Sequence, residues 1–259
     1  MQIKAPVMFV SHGAPTYALS PGKAGESLQQ AHPYFTGVKA VLLLSAHWIT
    51  DGQEIMSTEQ PATLYDFGGF PDALYQLSYP APGNPVLARE VQQTLSQTGI
   101  DSTLNAQRGF DHGAWVPMMH LLPEAQIPIV EISINRRLSH RQLYELGQAL
   151  APLRSKGIAI IGSGSLTHNL RDVAWRQTDP LPYVLRFQDD VKRALETRDY
   201  DRLIDHAEHI GDFHQAHPSD DHYLPLVFAL GTVGPTDRLE VLEGGIEYRA
   251  LSMDSYLWH

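Results

Sequence analysis

The fold is decided by the stretch Ile158-Ala159-Ile160-Ile161-Gly162-Ser163, a short apolar run that ends in small residues. Because its apolar residues are continuous rather than alternating, the run predicts a strand that is buried on both faces, as in a parallel sheet. Three runs of the same kind precede it in the chain: Val7–Val10, Val38–Ser45 and Ile127–Ile134. The four runs together predict a central, mainly parallel sheet.

Helical segments separate these strands. Asn84-Pro85 is typical of an N-cap followed by the first helical residue, and Gly99 is placed to end that helix. Ser139 and Gln142 have the spacing of a capping box, and leucines at helical spacing follow them. Strands that alternate with helices predict an α/β fold in which helices flank the sheet.

The last third of the chain predicts two more helices and a hairpin. The helices are expected from about residue 182 to 209 and from about 220 to 230. The segments Leu239–Glu243 and Ile246–Met253, joined by Gly244-Gly245, predict a C-terminal β-hairpin with a glycine turn. Segment Gln60–Gly83 contains many Pro, Gly and aromatic residues and predicts a long ordered loop, a common place for binding residues.

Composition limits the class of protein. The chain has 259 residues, 43% of them hydrophobic and 19% charged, which predicts one globular domain over residues 1–259. Its net charge of −10, without a basic cluster, argues against a nucleic-acid partner. The lack of cysteine excludes disulfides, iron–sulfur clusters and thiolate zinc sites. The apolar runs are too short for a signal peptide or a membrane span, so we expect a cytoplasmic protein with no membrane partner.

Histidines recur where predicted strands end. The chain has 13 of them, and imidazole is the main transition-metal ligand left to a chain without cysteine. His12, His47 and His168 each follow a predicted strand within five residues. Because ligands bind outside the carboxyl ends of parallel strands, these side chains are expected to converge. An ordinary polar loop residue is the alternative for each of them, and the pattern alone leaves the two interpretations about equally open.

Other histidines have weaker patterns. His222 and His112 each follow an aspartate near a predicted helix start, where polar decoration of the helix end is the alternative. Four more histidines lie in an acidic helical stretch that also contains Glu208: His206, His209, His214 and His217. No predicted strand precedes this stretch, so these side chains are predicted to be solvated at the surface. The glycines near Ile161 lack the third glycine of a dinucleotide loop, and the chain has no P-loop and no nucleophile elbow.

Seven motifs occur in order along most of the chain. They are Ser11-His12-Gly13-Ala14-Pro15, Ser45-Ala46-His47-Trp48, Tyr65–Pro71, Tyr79–Gly83, Gly109–Gly113, Ser163–Leu170 and His222–Leu226. Together they resemble the class III extradiol ring-cleavage dioxygenases, and most closely the DOPA 4,5-dioxygenase (DODA-type) branch.

The resemblance implies a metal bound by His12, His47 and His222. His168 matches the acid/base of the protocatechuate-type relatives and is also a candidate metal ligand, and His112 matches a second active-site histidine near the substrate. The chain departs from the protocatechuate branch at His222, where those relatives have glutamate. This leaves the metal open between Fe(II), which the reaction needs, and Zn(II), which is expected as an alternative in the isolated protein.

The implied function is the opening of a catechol such as DOPA, by 4,5-cleavage with O2. Asp66, Phe67 and Tyr223 are expected to contact the substrate, with ordinary packing as the alternative. The partners are a small-molecule catechol and O2, and the sequence leaves the oligomeric state open. Two other functions stay open: a zinc-dependent hydrolase that uses the same histidines to activate water, and a non-catalytic binding protein of the same fold.

Overall fold

Eight strands form one sheet at the centre of the protein. The computed structural model describes residues 4–205 and 207–259. The strands are β1 (Val7–Ser11), β2 (Ala40–Thr50), β3 (Gln53–Met56), β4 (Ser102–Asn105), β5 (Ile129–Asn135), β6 (Ile158–Gly164), β7 (Leu239–Leu242), β8 (Ile246–Glu247), β9 (Leu251–Ser252) and β10 (Ser255–Trp258). The order in the large sheet is β4-β3-β5-β2-β6-β1-β10-β7, and β8 pairs only with β9.

The four strands predicted from the apolar runs lie next to one another at the centre of the sheet. β1 pairs with β6, β6 with β2 and β2 with β5, always in parallel. Antiparallel pairs occur toward the edges, where β10 pairs with β1 and with β7, and β3 pairs with β5. The predicted α/β class with a mainly parallel sheet is therefore confirmed.

One strand bound differs from the prediction in a way that matters for the site. β2 continues to Thr50, although its apolar run ends at Ser45. Its register against β5 shifts between Leu44, which pairs with Ile132, and Ile49, which pairs with Ile134. Five steps along β2 thus match two along β5, so the extra residues must bulge out of the regular pleat. His47 lies in this bulge and not in a loop after the strand.

Helices cover both faces of the sheet. They are α1 (Gly22–Ala31), α2 (Pro85–Gln97), α3 (His112–Leu121), α4 (His140–Leu150), α5 (Pro182–Glu196), α6 (Tyr200–Ile204), α7 (Phe213–Ala216) and α8 (Leu224–Thr232). Successive β2 side chains alternate between the two layers: Leu42 and Leu44 pack with α2, α4, α5 and α8, whereas Val41 and Leu43 pack with α1 and α3. In the described part of the chain, no helix combines the length and apolar character needed to cross a bilayer.

The predicted helix signals are present in the structure. The Asn84 side chain accepts a hydrogen bond from the Leu87 amide at 2.9 Å, and Ser139 with Gln142 forms a capping box. The helix predicted over 182–209 is instead broken into α5, α6 and a 3-10 turn, because the backbone turns at Arg198, whose φ is +57°. The helix predicted from about residue 220 begins at Leu224, where Pro225 suits the first turn.

The C-terminal hairpin is present, but its strands differ from the prediction. β7 pairs antiparallel with β10, while β8 and β9 form a smaller hairpin inserted between them. Gly244-Gly245 therefore does not form the turn between two long strands. Gly244 has no room for a side chain, because a Cβ there would lie 2.0 Å from the Met253 carbonyl oxygen.

Two glycines let the start of α8 approach the carboxyl end of β6. A Cβ on Gly162 would lie 2.0 Å from the Pro225 carbonyl oxygen, and one on Gly164 would lie 2.2 Å from that of His222. These distances are too short for any side chain, so only glycine permits this contact. The contact places His222 beside the strand ends of the parallel sheet.

A buried ion pair joins Arg154, in the segment before β6, to Asp237, in the loop between α8 and β7. Arg154 is 1% exposed, and it donates hydrogen bonds to the carbonyl oxygens of Ala5 at 2.8 Å and Thr232 at 2.9 Å. It also donates to Asp237, which is 6% exposed, at 2.5 Å. Removing one member of such a pair leaves an unpaired charge in the interior.

We predict that Arg154→Met lowers the free energy of unfolding by about 3–5 kcal/mol, since Asp237 would stay buried without its cation. Urea denaturation followed by circular dichroism measures this. Arg136→Met is the matched control, because Arg136 pairs with Asp51 on the surface, where the two side chains are 60% and 71% exposed. An equal loss in both variants would contradict the prediction.

Candidate metal centre

Three imidazoles meet at the carboxyl end of the parallel strands. His12 follows β1 directly, His47 lies in the bulge of β2, and His222 precedes α8. The Nε2 atom of His47 is 3.0 Å from that of His12 and 3.3 Å from that of His222. One ring nitrogen from each of the three lies within 4.8 Å of the others. Residues that are far apart in the sequence thus form one compact donor set.

Backbone contacts hold the three side chains in place. The His12 amide donates to the Gly164 carbonyl at 2.9 Å, and the Ser165 amide donates to the His222 carbonyl at 3.0 Å. Both contacts join β1 and α8 to the end of β6. The His47 amide donates to Ser45 Oγ at 3.2 Å, which stabilises the bulge.

The second ring nitrogen of each histidine faces an oxygen. His12 Nδ1 is 3.0 Å from Ser163 Oγ, and that hydroxyl donates its own proton to the Gly113 carbonyl. Ser163 must therefore accept from His12 Nδ1–H, which leaves a lone pair on His12 Nε2. His222 Nδ1 contacts the Asp221 carboxylate at 2.5 Å, and His47 Nδ1 lies 3.7 Å from that of Asp66. Oxygen partners of this kind fix the tautomer of metal-binding histidines.

Electrostatics keep the imidazoles of His12 and His47 neutral. Burial lowers the pKa of His12 well below its ordinary value, and the neighbouring imidazoles lower it further. Burial and the rings of His112 and His222 lower the pKa of His47 in the same direction, against the opposing charge of Asp66. A neutral imidazole with a free lone pair is the form that binds a metal ion.

The donor set fits one divalent metal ion. His12 Nε2 offers a lone pair, and the Nε2 atoms of His12 and His47 are 3.0 Å apart, close enough to share one cation. Two nitrogens that are each about 2.0–2.1 Å from one ion lie about 3.0–3.4 Å apart at bond angles of about 90–110°. The separations of 3.0 and 3.3 Å match this spacing. An ion held by three protein ligands would keep further coordination positions open for other molecules.

Two other groups have the spacing of metal ligands, and they overlap the first. One joins Asp66 and His112 to His47, and the other joins His168 and Asp221 to His222. In each group the carboxylate already contacts a histidine Nδ1, Asp66 that of His112 at 3.0 Å and Asp221 that of His222. These carboxylates therefore orient the rings, and the three imidazoles are the better donor set.

His168 and His112 border the three imidazoles without completing their donor set. The His168 ring stacks on that of His222, with centroids 3.5 Å apart and planes 6° apart. Burial and the adjacent His222 lower the pKa of His168 to about 3, so the ring is neutral at neutral pH. The His112 ring lies 3.9 Å from that of His47. The Asp66 carboxylate accepts from both the amide and the Nδ1 of His112, at 2.9 and 3.0 Å.

Asp66 supports His112 instead of lining the cavity. Burial raises the pKa of Asp66, but the hydrogen bonds from His112 outweigh it and hold the value at about 2. The carboxylate is thus an acceptor, and His112 Nδ1 must carry the proton. Because Nδ1 is bound to Asp66, Nε2 is the ring nitrogen of His112 that can contact a ligand.

A buried charge cluster lies behind the bulge of β2. The Arg108 guanidinium contacts the carboxylates of Asp111 and Glu131, both of them completely buried. Ser45 Oγ donates to Asp111 at 2.7 Å and accepts from the His47 amide. Asp111 also caps α3 through the Ala114 amide. Burial raises the pKa of Glu131 well above its ordinary value, with the Asp111 charge adding to the effect.

A cavity of about 240 Å³ opens over the imidazoles. Pockets for drug-sized ligands usually measure roughly 300–1,000 Å³, so this space suits a single substituted ring. Its wall contains the five histidines described above, together with Phe67, Phe70, Leu170, Trp175 and Leu251. Larger grooves of about 370 to 750 Å³ lie elsewhere, and these five histidines do not line them.

Tyr223 is not part of this cavity, so its predicted contact with substrate is wrong. Its side chain is completely buried between helices, and its hydroxyl donates to the Leu203 carbonyl at 2.8 Å. A tyrosine directly after a site histidine belongs to the helix that begins there, and its ring therefore faces the core. Phe67, in contrast, lines the cavity as predicted, next to Phe70.

The acidic histidine cluster is only partly at the surface. His209 and His214 are exposed, but His217 is 2% exposed, and its Nε2 donates to the Leu166 carbonyl at 2.9 Å. The prediction of a solvated surface is therefore wrong for His217, which packs among Phe187, Phe213 and Tyr223. His206 and the side chain of Glu208 lie outside the described residues.

Two kinds of site residue are missing from the prediction. Ser163 ends a predicted strand and begins one of the seven motifs, but nothing in its local sequence shows that it faces His12. Leu170 and Trp175 also form part of the wall. The sequence shows two large apolar residues in the loop after His168, and the structure leaves them 64% and 56% exposed.

Comparisons with known proteins agree with this arrangement. The fold and the site define an α/β protein with a histidine cluster able to hold one metal ion. A family model described as the catalytic LigB subunit of aromatic ring-opening dioxygenase matches residues 6–257. A protein named 4,5-DOPA dioxygenase extradiol from Beta vulgaris is 36% identical over 252 residues, which are 96% of this chain and 94% of that protein.

Two further similarities come from Escherichia coli K12. A protein also named 4,5-DOPA dioxygenase extradiol is 36% identical over 255 residues, which are 96% of this chain and 93% of that protein. The crystal structure of a protein described as uncharacterized matches with a TM-score of 0.81 and 32% identity, covering 98% of this chain and 99% of that one.

The chain therefore belongs to the LigB family of aromatic ring-opening dioxygenases. It is an extradiol ring-cleaving dioxygenase, and the family resemblance predicted from the seven motifs is confirmed. Enzymes of this family use a metal, for which the histidine cluster is the fitting place.

We predict that Ser163→Ala weakens metal binding about 10–100-fold, because His12 Nδ1 loses the oxygen that fixes its tautomer. Competition with a chromogenic chelator measures the affinity. Ser102→Ala is the matched control, since the buried Ser102 hydroxyl in the edge strand β4 has no hydrogen-bond partner. Unchanged affinity in Ser163→Ala would contradict this view of the site.

Proposed function

We propose that the protein cleaves catechols, DOPA at its 4,5 bond among them, with O2 at a single Fe(II) held by His12, His47 and His222. The observation that carries the proposal is the convergence of three Nε2 atoms at 3.0 and 3.3 Å on the floor of a ring-sized cavity. The names of the relatives from Beta vulgaris and Escherichia coli support DOPA as a member of the substrate class.

When bound, Fe(II) supplies the redox chemistry that joins O2 to the aromatic ring. The chain's own contribution begins with substrate deprotonation. His168 lines the cavity and, with a pKa of about 3, is neutral at neutral pH. A neutral ring keeps a lone pair on one nitrogen, so His168 can accept a hydrogen bond from a catechol hydroxyl and is the candidate to take up and later return its proton.

His112 is proposed to hold the second hydroxyl. Asp66 accepts from its amide and from its Nδ1, which fixes both the position and the tautomer of the ring. His112 Nε2 is then the atom that can accept a hydrogen bond from the substrate. Phe67 lies 5.7 Å from the His112 ring in an edge contact and limits how far a bound ring can tilt.

The walls exclude water from the reacting atoms. Phe67 and Phe70 come from the loop before α2, and Trp175 comes from the loop after β6. Phe70 and Trp175 meet in an edge contact with centroids 6.0 Å apart. The two loops thus meet at one side of the cavity, and their apolar side chains limit the access of water to the reacting atoms.

We predict that the protein, loaded anaerobically with Fe(II), takes up O2 and forms a yellow product when DOPA or other catechols and air are added. An oxygen electrode and visible absorbance measure the reaction. The same protein loaded with Zn(II) should bind catechol but take up no O2, because zinc has no redox chemistry. No turnover of any of several catechols by the iron-loaded protein would refute the proposal.

The zinc experiment also separates the proposal from a hydrolase. A zinc-dependent hydrolase would use the same imidazoles to activate water, and it would be active with zinc and independent of O2. Turnover with zinc and no O2 uptake would therefore favour that alternative. Binding of a partner that survives His12→Ala would favour the non-catalytic protein instead.

We predict that His168→Ala keeps the metal but lowers kcat at least about 100-fold, as expected for loss of an acid/base. Elemental analysis gives the metal content, and O2 uptake gives kcat. His214→Ala is the matched control, because His214 is exposed and lies outside the cavity. Loss of metal together with activity would show instead that His168 is a ligand.

A further inference from the structure

The cavity wall is uncharged apart from its histidines, and this bears on the substituent that a catechol can carry. Among the described residues, no Lys, Arg, Asp or Glu side chain lines the cavity. The wall away from the metal-binding histidines is formed mainly by large apolar side chains: Phe67, Phe70, Leu170, Trp175 and Leu251. Gly13, Ala14 and Pro15, which follow His12, also line the cavity.

A bound catechol must place its substituent against these apolar side chains. Both hydroxyls point to the imidazoles at the floor, so the opposite side of the ring faces the mouth. Leu170 and Trp175 stand there, and they are 64% and 56% exposed. Two large apolar side chains left open at the mouth of a cavity offer a surface that an apolar group can cover.

DOPA would bring an ammonium and a carboxylate to this surface. Burying an ionised group without a partner is costly, and sites that recognise carboxylates normally provide an arginine or lysine. Arg108, the basic side chain behind the bulge, is already bound to Asp111 and Glu131. Arg171 and Arg176 are exposed and flank the wall without lining it.

The two carboxylates that contact the imidazoles of the site are not free to receive the ammonium group. Asp66 contacts His112, and Asp221 contacts His222, so both already have partners behind the rings. Glu247 lies 3.8 Å from where a Cβ of Gly13 would stand, but it does not line the cavity. The protein as a whole has a net charge of −10, and Arg171 and Arg176 are the exposed cations that flank the wall. An anionic substituent would thus meet no cation within the wall itself.

On the basis of the proposed ring-cleaving function, we infer that the preferred substrates are catechols with an uncharged, apolar substituent on the ring, and that DOPA is a poorer substrate. Phe67, Phe70, Leu170 and Trp175 are the side chains that determine this specificity. The reaction stays the same for both kinds of catechol, and only the contacts of the substituent differ.

The test compares catechols of similar shape and different charge. Isothermal titration calorimetry under anaerobic conditions measures the Kd of the Zn(II)-loaded protein for 4-propylcatechol, dopamine, hydrocaffeic acid and DOPA. The expected order places 4-propylcatechol first, with dopamine, hydrocaffeic acid and DOPA at least about tenfold weaker. The kcat/KM values of the Fe(II)-loaded protein are expected to follow the same order.

A charge added at the mouth tests where the substituent lies. Leu170→Arg should reduce the gap between 4-propylcatechol and hydrocaffeic acid about tenfold, because the guanidinium can pair with the carboxylate. Leu185→Arg is the matched control, since Leu185 is 45% exposed on α5 and lies outside the cavity. The control should leave the gap unchanged.

The outcomes separate this inference from the function on which it rests. Hydrocaffeic acid, dopamine or DOPA binding as tightly as 4-propylcatechol, with O2 uptake intact, would overturn the inference and leave the ring-cleaving function standing. The expected order of Kd values without O2 uptake would contradict the function alone. An unchanged gap in Leu170→Arg would show that the substituent does not reach Leu170 and would overturn the assigned position.

Discussion

The site depends on a backbone contact between the end of β6 and the start of α8. Gly162 and Gly164 leave space for the carbonyl oxygens of Pro225 and His222, and no larger residue could stand in either place. The Ser165 amide then bonds to the His222 carbonyl, which ties the helix start to the strand end. Because β6 lies between β1 and β2, this one contact brings His222 to the same edge as His12 and His47.

Much of the fold could be predicted because its signals are local. Continuous apolar runs identified the four central parallel strands, and the caps at Asn84 and Ser139 marked two helix starts correctly. The bulge of β2 could not be read in the same way, since it depends on how β2 pairs with β5. The C-terminal strands were assigned to the wrong partners for the same reason, because pairing between β7 and β10 joins segments separated by a smaller hairpin.

The grouping of the histidines was predictable, and the residues around them were less so. Histidines that follow strands converge by topology, so His12 and His47 could be proposed from pattern, whereas the family resemblance was needed to choose His222 over other histidines. The side chains that orient the ligands could not be found this way. Ser163 contacts His12 across 151 positions of sequence, and a buried serine in a strand has no local signal of its role. Tyr223 shows the opposite error, because adjacency to His222 did not mean adjacency to the cavity.

The histidine cluster and the apolar wall of the cavity are built by different parts of the molecule. The imidazoles are held by strand ends, a helix start and buried hydrogen bonds, all of which belong to the rigid sheet and its covering layers. The apolar wall comes mainly from two loops, one before α2 and one after β6, that touch through Phe70 and Trp175.

Loops vary more readily than the core that positions them. Similarity over nearly the whole chain at 36% identity therefore supports the shared ring-opening chemistry strongly, while the charge and shape of the wall have to be examined in this chain itself. The uncharged wall agrees with this separation between the histidine cluster and the loops. The histidines must offer neutral donor atoms to a metal ion, whereas the wall only has to fit the substituent on the aromatic ring.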